Sequence, residues 1–293
     1  MVITSAAFVL LAALCWGLAG GIGGILVAEG WEPSTISFYR GAIGLVCVFL
    51  WLALRPQGSG IANRRLWFWS AVAGLGVAGN FVFYFLSINE SGVAVAATLM
   101  YCAPVFVYLA SFAFKLEKPT PFKWAAIAMV MLGIVLLTRI YDFESGGITW
   151  LGVGAGLLAG LSYAVFIFGF RYAAPHGSPQ AILVIAFAAV VSMVIWQSDS
   201  EQTLAVLSTP SWPLFAALGV FGAGLSFTFY VIGLKGTTPV VASILAMVEP
   251  VTAALFGVFL LNETLVGTQI FGMVLIMLTV TALCVYPSVT RNA

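Results

Sequence analysis

Charge is what this 293-residue sequence has least of: charged residues make up 7% of it and hydrophobic residues 62%. Soluble domains carry roughly 25% and 45–50%. A soluble fold of this size is excluded, because it could not keep so much apolar surface from water. Net charge is only +1, which argues against nucleic-acid binding, since that needs a basic surface. The one histidine, His176, sits between Pro175 and Gly177 with no metal-ligand residue beside it. The four cysteines, Cys15, Cys47, Cys102 and Cys284, fall in apolar runs without metal-ligand spacing. They read as small buried hydrophobes, so neither a disulfide framework nor a metal or other cofactor is expected. The apolar runs contain no aspartate. The paired aspartates, Ser–His pair or zinc site of an intramembrane enzyme are therefore missing. A channel is disfavoured by the lack of a filter-like loop or rings of charge. The apolar start has no basic leader and no small-residue cleavage site, and is expected to be a retained first span.

What is present is a series of apolar runs about 20 residues long, the length that crosses a bilayer as a helix. Ten are expected, over residues 3–28, 34–54, 66–88, 93–114, 122–137, 150–172, 180–196, 212–234, 240–261 and 266–286. The longest connection, 197–211, has room for a surface turn. The runs are continuous and do not alternate as barrel strands do. The expected fold is an all-α integral membrane protein. Its connections sort by charge. One alternate set holds Glu29, Glu32, Glu90, Asp142, Glu144, Asp199, Glu201 and Glu263, with Arg139 as its basic exception. The other holds Arg55, Arg64, Arg65, Lys115, Lys118, Lys123, Arg171 and Lys235, with Glu117 as its acidic one. Lysine and arginine stay on the cytoplasmic side. The second set, and with it both termini, is therefore expected in the cytoplasm.

One stretch occurs twice. MVEPVTAALFGVFLLNE at 247–263 is echoed 146 positions earlier by YCAPVFVYLASFAFKLE at 101–117, matching Pro104 with Pro250, Val105 with Val251, Leu109 with Leu255 and Glu117 with Glu263. Phe81, Phe83 and Tyr84 match Phe227, Phe229 and Tyr230, and Val95, Ala96 and Leu99 match Val241, Ala242 and Leu245. The matched spans are five apart, and an odd step reverses a helix across the membrane. Two inverted five-helix repeats follow, 1–140 and 148–288. Inverted repeats of this kind bind substrate at the midplane where they meet, which is a transporter architecture.

This layout, with a Pro-Val followed twelve residues later by an acid, resembles the drug/metabolite transporter (DMT) superfamily and, within it, the EamA family. The 247–263 stretch is similar to that family's second-half signature, with Asn262 in place of the usual glycine, and residues 37–40 resemble its arginine-containing signature in the second span. The resemblance covers nearly the whole chain and extends to YddG-type amino-acid exporters. It implies alternating-access transport of small metabolites, usually outward, across a bacterial inner membrane.

Among single residues, Glu249 stands out because a charge at mid-membrane costs a few kcal/mol or more. Pro104 and Pro250 are expected to break their helices and to serve gating, and Pro250 leaves a carbonyl free on the preceding turn. A neutral Glu249 patching that carbonyl is the structural alternative to proton coupling or to attraction of a substrate ammonium. The first repeat has Ala103 there, so the acid is not part of the repeated architecture. Arg40 lies roughly 9 Å inside the outer end of its span at ~1.5 Å per residue. It is expected to act as an outer structural or gating residue, without direct contact with Glu249. Counting by threes and fours along an unbroken helix puts Ala97, Tyr101, Pro104 and Tyr108 on one face, with Ser243, Met247, Pro250 and Ala254 matching them. Trp16, Asn80, Tyr84, Tyr163, Ser226 and Tyr230 join the expected cavity, whose polar-tipped aromatics suit a flat apolar side chain. Ordinary packing is the alternative for each. Few fixed charges make the cavity unsuited to phosphates. The expected cargo is a small neutral molecule, foremost an aromatic or hydrophobic amino acid, carried by a monomer, since ten inverted spans already build both sides of a pathway. Gly17/Gly21, Gly20/Gly24 and Gly152/Gly156/Gly160 have the spacing of close helix packing.

Overall fold

The structure, a computed structural model, describes residues 2–142, 149–262 and 264–289, with side chains described over 4–142, 149–262 and 264–284. Glu144 and Glu263 lie outside the described residues. The helices are α1 (Val2–Ala28), α2 (Pro33–Leu54), α3 (Arg64–Met100), α4 (Ala103–Ala113), α5 (Pro121–Thr138), α6 (Trp150–Ala173), α7 (Pro179–Val194), α8 (Ser200–Ala205), α9 (Trp212–Gly219), α10 (Ser226–Leu234), α11 (Pro239–Leu245), α12 (Val248–Leu261) and α13 (Gly267–Val289). Among the described residues there is no strand, and eight helical stretches are long and apolar enough to cross a membrane.

Local chemistry sets the helix starts. Thr120, Ser178 and Thr238 each stand before a proline, and each side chain accepts a hydrogen bond from the backbone N–H three residues on, at 3.3, 3.4 and 3.5 Å. The capping oxygen satisfies an orphan donor, and proline at the first helical position loses nothing by lacking an N–H. At the far end of α12, Asn262 closes the helix at φ 55°, ψ 31°, the left-handed conformation that glycine, and asparagine after it, tolerates best. Asparagine therefore stands in for glycine without strain of its own.

Three features shape these spans. First, the turn between the third and fourth runs is a single residue: Gly92, at φ 80° and ψ 164°, is non-helical inside α3. The chain doubles back there, so Ser87 donates to the Gly152 carbonyl at 2.7 Å while Leu99 on the returning segment meets Gly156 of the same helix α6. Second, the spans bearing the prolines are broken. Tyr101 and Cys102 separate α3 from α4, and Ala246 and Met247 separate α11 from α12. Third, Val220–Leu225, between α9 and α10, is a π-helical segment. The long connection is also structured: α8 is capped by Asp199, which accepts from Gln202 N at 2.8 Å.

Helices pair mainly across the two repeats: α1 against α10 and α12, α6 against α3 and α4, α2 against α9 and the π segment, α7 against α3, α4 against α11, and α5 against α13. Glycines allow the closest approaches, as predicted for Gly17, Gly156 and Gly160. Gly17 faces the Glu249 carbonyl, where an added Cβ would lie 2.6 Å away, and Gly160 faces the Leu99 and Met100 carbonyls at the first break. Gly24 faces open space. The connections gather at two ends. At one, Gln180 bonds the Arg55 carbonyl and Arg171 the Leu234 and Lys235 carbonyls; at the other, Glu32 N bonds Gln202 and Thr149 bonds Glu90. Both exceptions in the charge pattern are neutralised locally: Glu117 pairs with Lys123, and Arg139 Nε donates to Asp142 at 2.7 Å.

Candidate functional site: a cavity between the repeats

A cavity of about 120 Å³ lies between the two repeats. Its walls include Trp16 of α1, Ser37 and Arg40 of α2, Val77, Asn80, Phe81, Tyr84, Phe85 and Met100 of α3, Tyr163 and Phe166 of α6, Phe227 of α10 and Glu249 of α12. Trp16 and Val77 lie midway along their membrane-crossing segments, while Ser37 and Phe85 lie near the acidic end. The space therefore runs from mid-membrane toward that end. Toward the basic side Phe170, Tyr230, Leu234, Val240, Leu245 and Met247 are buried. Both helix breaks abut it, because Met100 ends α3 and Glu249 is the second residue of α12.

Glu249 lies in the first turn of α12, where the helix dipole favours a negative charge. The carbonyl expected to be freed by Pro250 is already satisfied: Ala246 O accepts from Glu249 N at 2.9 Å. The side chain is thus not needed to patch the helix. Tyr101 and Tyr163 hydroxyls approach the carboxylate, Tyr163 without a partner at full hydrogen-bond geometry.

Arg40 turns inward from α2 to the cavity that Glu249 also lines. Its Nε donates to the Gly222 carbonyl at 2.9 Å, and its guanidinium lies 5.2 Å from the centre of the Phe81 ring, a cation–π contact. Gly222 belongs to the π segment, whose widened turn presents the carbonyl; π segments are frequent at functional sites. A Cβ at Gly222 would lie 3.0 Å from Arg40 Nε and 2.7 Å from Ala19 Cβ, so no side chain fits there. The two charges do not form an ion pair within bonding distance; among the described residues the ion pairs are Lys123–Glu117 and Arg139–Asp142.

Trp16 centres an aromatic cluster, with ring centres at 5.0 Å from Phe227 and Tyr230 and 6.4 Å from Tyr163 and Phe166. Trp16 Nε1, Tyr230 Oη and Ser226 Oγ are buried without hydrogen-bond partners among the described residues, an unusual concentration in a native interior. Asn80 donates to the Ala159 carbonyl at 3.0 Å.

Of the residues singled out from sequence, Trp16, Asn80, Tyr84, Tyr163, Glu249 and Arg40 line the cavity. Tyr101 reaches Glu249 from the first break. Tyr230 and Ser226 lie in the packing behind Trp16, fully buried. Met247 is buried at the second break, and Ser243 bonds its own helix through the Val240 carbonyl at 2.8 Å. Pro104 and Pro250 sit in the first turns of α4 and α12. Tyr108 stands elsewhere: it packs on Trp124 at 4.7 Å and its hydroxyl accepts from Thr120 N at 3.1 Å, near the basic end. Counting across Tyr101 and Cys102 assumed an unbroken helix, and the break discards the phase. Ser37, Val77, Phe81, Phe85, Met100, Phe166 and Phe227 were missed as cavity residues. Phe81 and Phe227 are repeat-related and were visible as such, but a search for polar-tipped aromatics passes over phenylalanine.

A cavity between paired repeats, bordered by discontinuous helices, is an arrangement that recurs in transporter folds. The chain belongs to the EamA-like transporter family, which matches residues 3–139 and 150–285, and so to the drug/metabolite transporter superfamily. The uncharacterized transporter YwfM of Bacillus subtilis is 25% identical over 98% of this chain and 95% of its own length. The threonine/homoserine exporter RhtA of Salmonella typhimurium is 30% identical over 68% of this chain and 65% of its own. The uncharacterized inner membrane transporter YedA of Escherichia coli is 25% identical over 85% and 83%. A crystal structure of a protein 20% identical aligns over 99% of both chains with a TM-score of 0.75, a likeness of fold.

Proposed function

We propose that this transporter exports small neutral metabolites, foremost amino acids with aromatic or hydrophobic side chains, by alternating access through the central cavity. It works as a monomer in a bacterial inner membrane, with the basic end and both termini in the cytoplasm. The observation that carries this reading is the mid-membrane cavity with aromatic walls, supplied by both repeats and carrying Arg40 and Glu249 as its charges. Two opposite charges suit a cargo without net charge and give no support for one bearing phosphate groups. The similarity to a threonine/homoserine exporter points the same way. The test is counterflow in proteoliposomes loaded with L-phenylalanine, L-leucine or L-threonine. Saturable exchange with at least one of them is expected, and a failure of every neutral amino acid to exchange or compete would overturn the substrate class.

A further inference from the structure

Arg40 and Glu249 face one small, mostly apolar space and do not neutralise each other. Leaving a charge unpaired in such a place is costly, and a direct ion pair would be the cheap arrangement. Instead Arg40 is held back by a carbonyl and a ring. Its Nε is committed to Gly222 and its face to Phe81, while neither terminal nitrogen has a hydrogen bond among the described residues. Glu249 is held on the opposite repeat, at the start of α12, backed by Gly17, where no side chain fits against the Glu249 carbonyl. The two charges are thus fixed on separate elements with a gap between them. Around the gap stand Trp16 and Tyr163, the latter with its hydroxyl toward the Glu249 carboxylate, and the rings of Phe81, Phe166 and Phe227.

We infer that the gap is a clamp for a zwitterion of fixed polarity: the cargo's α-carboxylate meets Arg40 and its α-ammonium meets Glu249, with the side chain among Trp16, Phe166 and Phe227. The inference rests on reading the chain as an amino-acid carrier and adds the orientation and the demand for both charges. A guanidinium with free terminal nitrogens matches a carboxylate by paired N–H donors. A cargo lacking either charge leaves one protein charge buried and unpaired, which is how a polar site rejects an analogue that lacks the matching group.

The experiment is competition binding to the purified full chain in nanodiscs, with tritiated L-phenylalanine or L-leucine as the probe. The competitors are phenethylamine and isoamylamine, which lack the carboxylate, and 3-phenylpropionate and 4-methylpentanoate, which lack the ammonium. Wild type is expected to bind each analogue at least about tenfold more weakly than the parent amino acid. Arg40→Gln is expected to abolish discrimination against the amines, and Glu249→Gln discrimination against the acids. Arg40→Lys and Glu249→Asp, which keep the charges, should retain it in part. Equal binding of parent and analogues by wild type overturns the clamp while leaving an amino-acid carrier intact, and needs no variant to fold. Discrimination that survives both glutamine variants overturns the residue assignment. Binding of no neutral amino acid overturns the clamp and the substrate class together.

Discussion

Glu249 shows how a residue can be found from sequence for one reason and kept for another. A carboxylate deep in an apolar run drew notice, and the proline beside it offered a structural use. The backbone removes that use, because Glu249 N itself satisfies the Ala246 carbonyl. Glu249→Gln is therefore expected to leave stability within about 1 kcal/mol, the range of a minor change at one polar group, while abolishing amino-acid counterflow. Thermal unfolding in detergent and proteoliposome exchange check the two halves of that statement. Tyr108 gives the opposite pattern. Its hydroxyl accepts one backbone hydrogen bond away from the cavity, so Tyr108→Phe is expected to cost about 1 kcal/mol and leave exchange rates unchanged. Trp16, Tyr84 and Tyr163 were legible because polar-tipped aromatics at membrane depth are few. For Arg40, depth counted along one helix axis places the backbone and leaves the direction of the side chain open. A long side chain goes where an acceptor is, and the acceptor is a carbonyl 182 residues later.

At the scale of elements, the bilayer makes spans easy to read and breaks hard. A membrane-crossing segment must satisfy its backbone internally, so long apolar runs announce helices whatever their packing. Which glycine turns the chain is a different matter. Gly92 carries a whole reversal by itself because its φ of 80° is open to glycine, yet nothing in the run Glu90–Val93 distinguishes it from other glycines. The π segment is similarly silent. Gly76 and Gly222 are repeat-related, but only the second lies in a π turn. The difference is the partner: Gly76 faces the backbone of α6 at Phe166, whereas Gly222 faces Arg40. Gly222→Ala is expected to displace the arginine and strain α1 at Ala19. Overpacking of this kind costs about 1–3 kcal/mol. A lowered unfolding temperature together with lost exchange is the expected result, and normal exchange would show that the Arg40 contact is dispensable.

For the whole molecule, the charge pattern and the inverted repeat carried most of the architecture. The two residues that spoiled the pattern, Glu117 and Arg139, are each tied to a nearby opposite charge. Such pairs near a surface contribute only about 0–1 kcal/mol, and they read best as local neutralisation. What sequence did not disclose is that the repeats interlock. Helix α2 packs on α9 and the π segment of the other repeat, and α7 packs on α3. If α2 and the π segment travel together, locking them should be harmless. A Cβ built on Gly224 would lie 3.4 Å from the Cβ of native Cys47, close to disulfide geometry. Gly224→Cys, oxidised to a bond with Cys47, is expected to keep counterflow. Its loss on oxidation and recovery on reduction would show that these elements part during transport.

The hydrogen bond between Arg40 and Gly222 also dates the assembly of the protein. The arginine leaves the ribosome 182 residues before its acceptor. Through that interval α2 carries a guanidinium at a depth where insertion costs about 2.5–3.5 kcal/mol, and neither Gly222 nor the face of α9 yet exists to receive it. The first repeat therefore enters the bilayer unfinished. Its second helix waits for the eighth apolar run to be made, and the cavity closes around its two charges only when synthesis of the second repeat is well advanced.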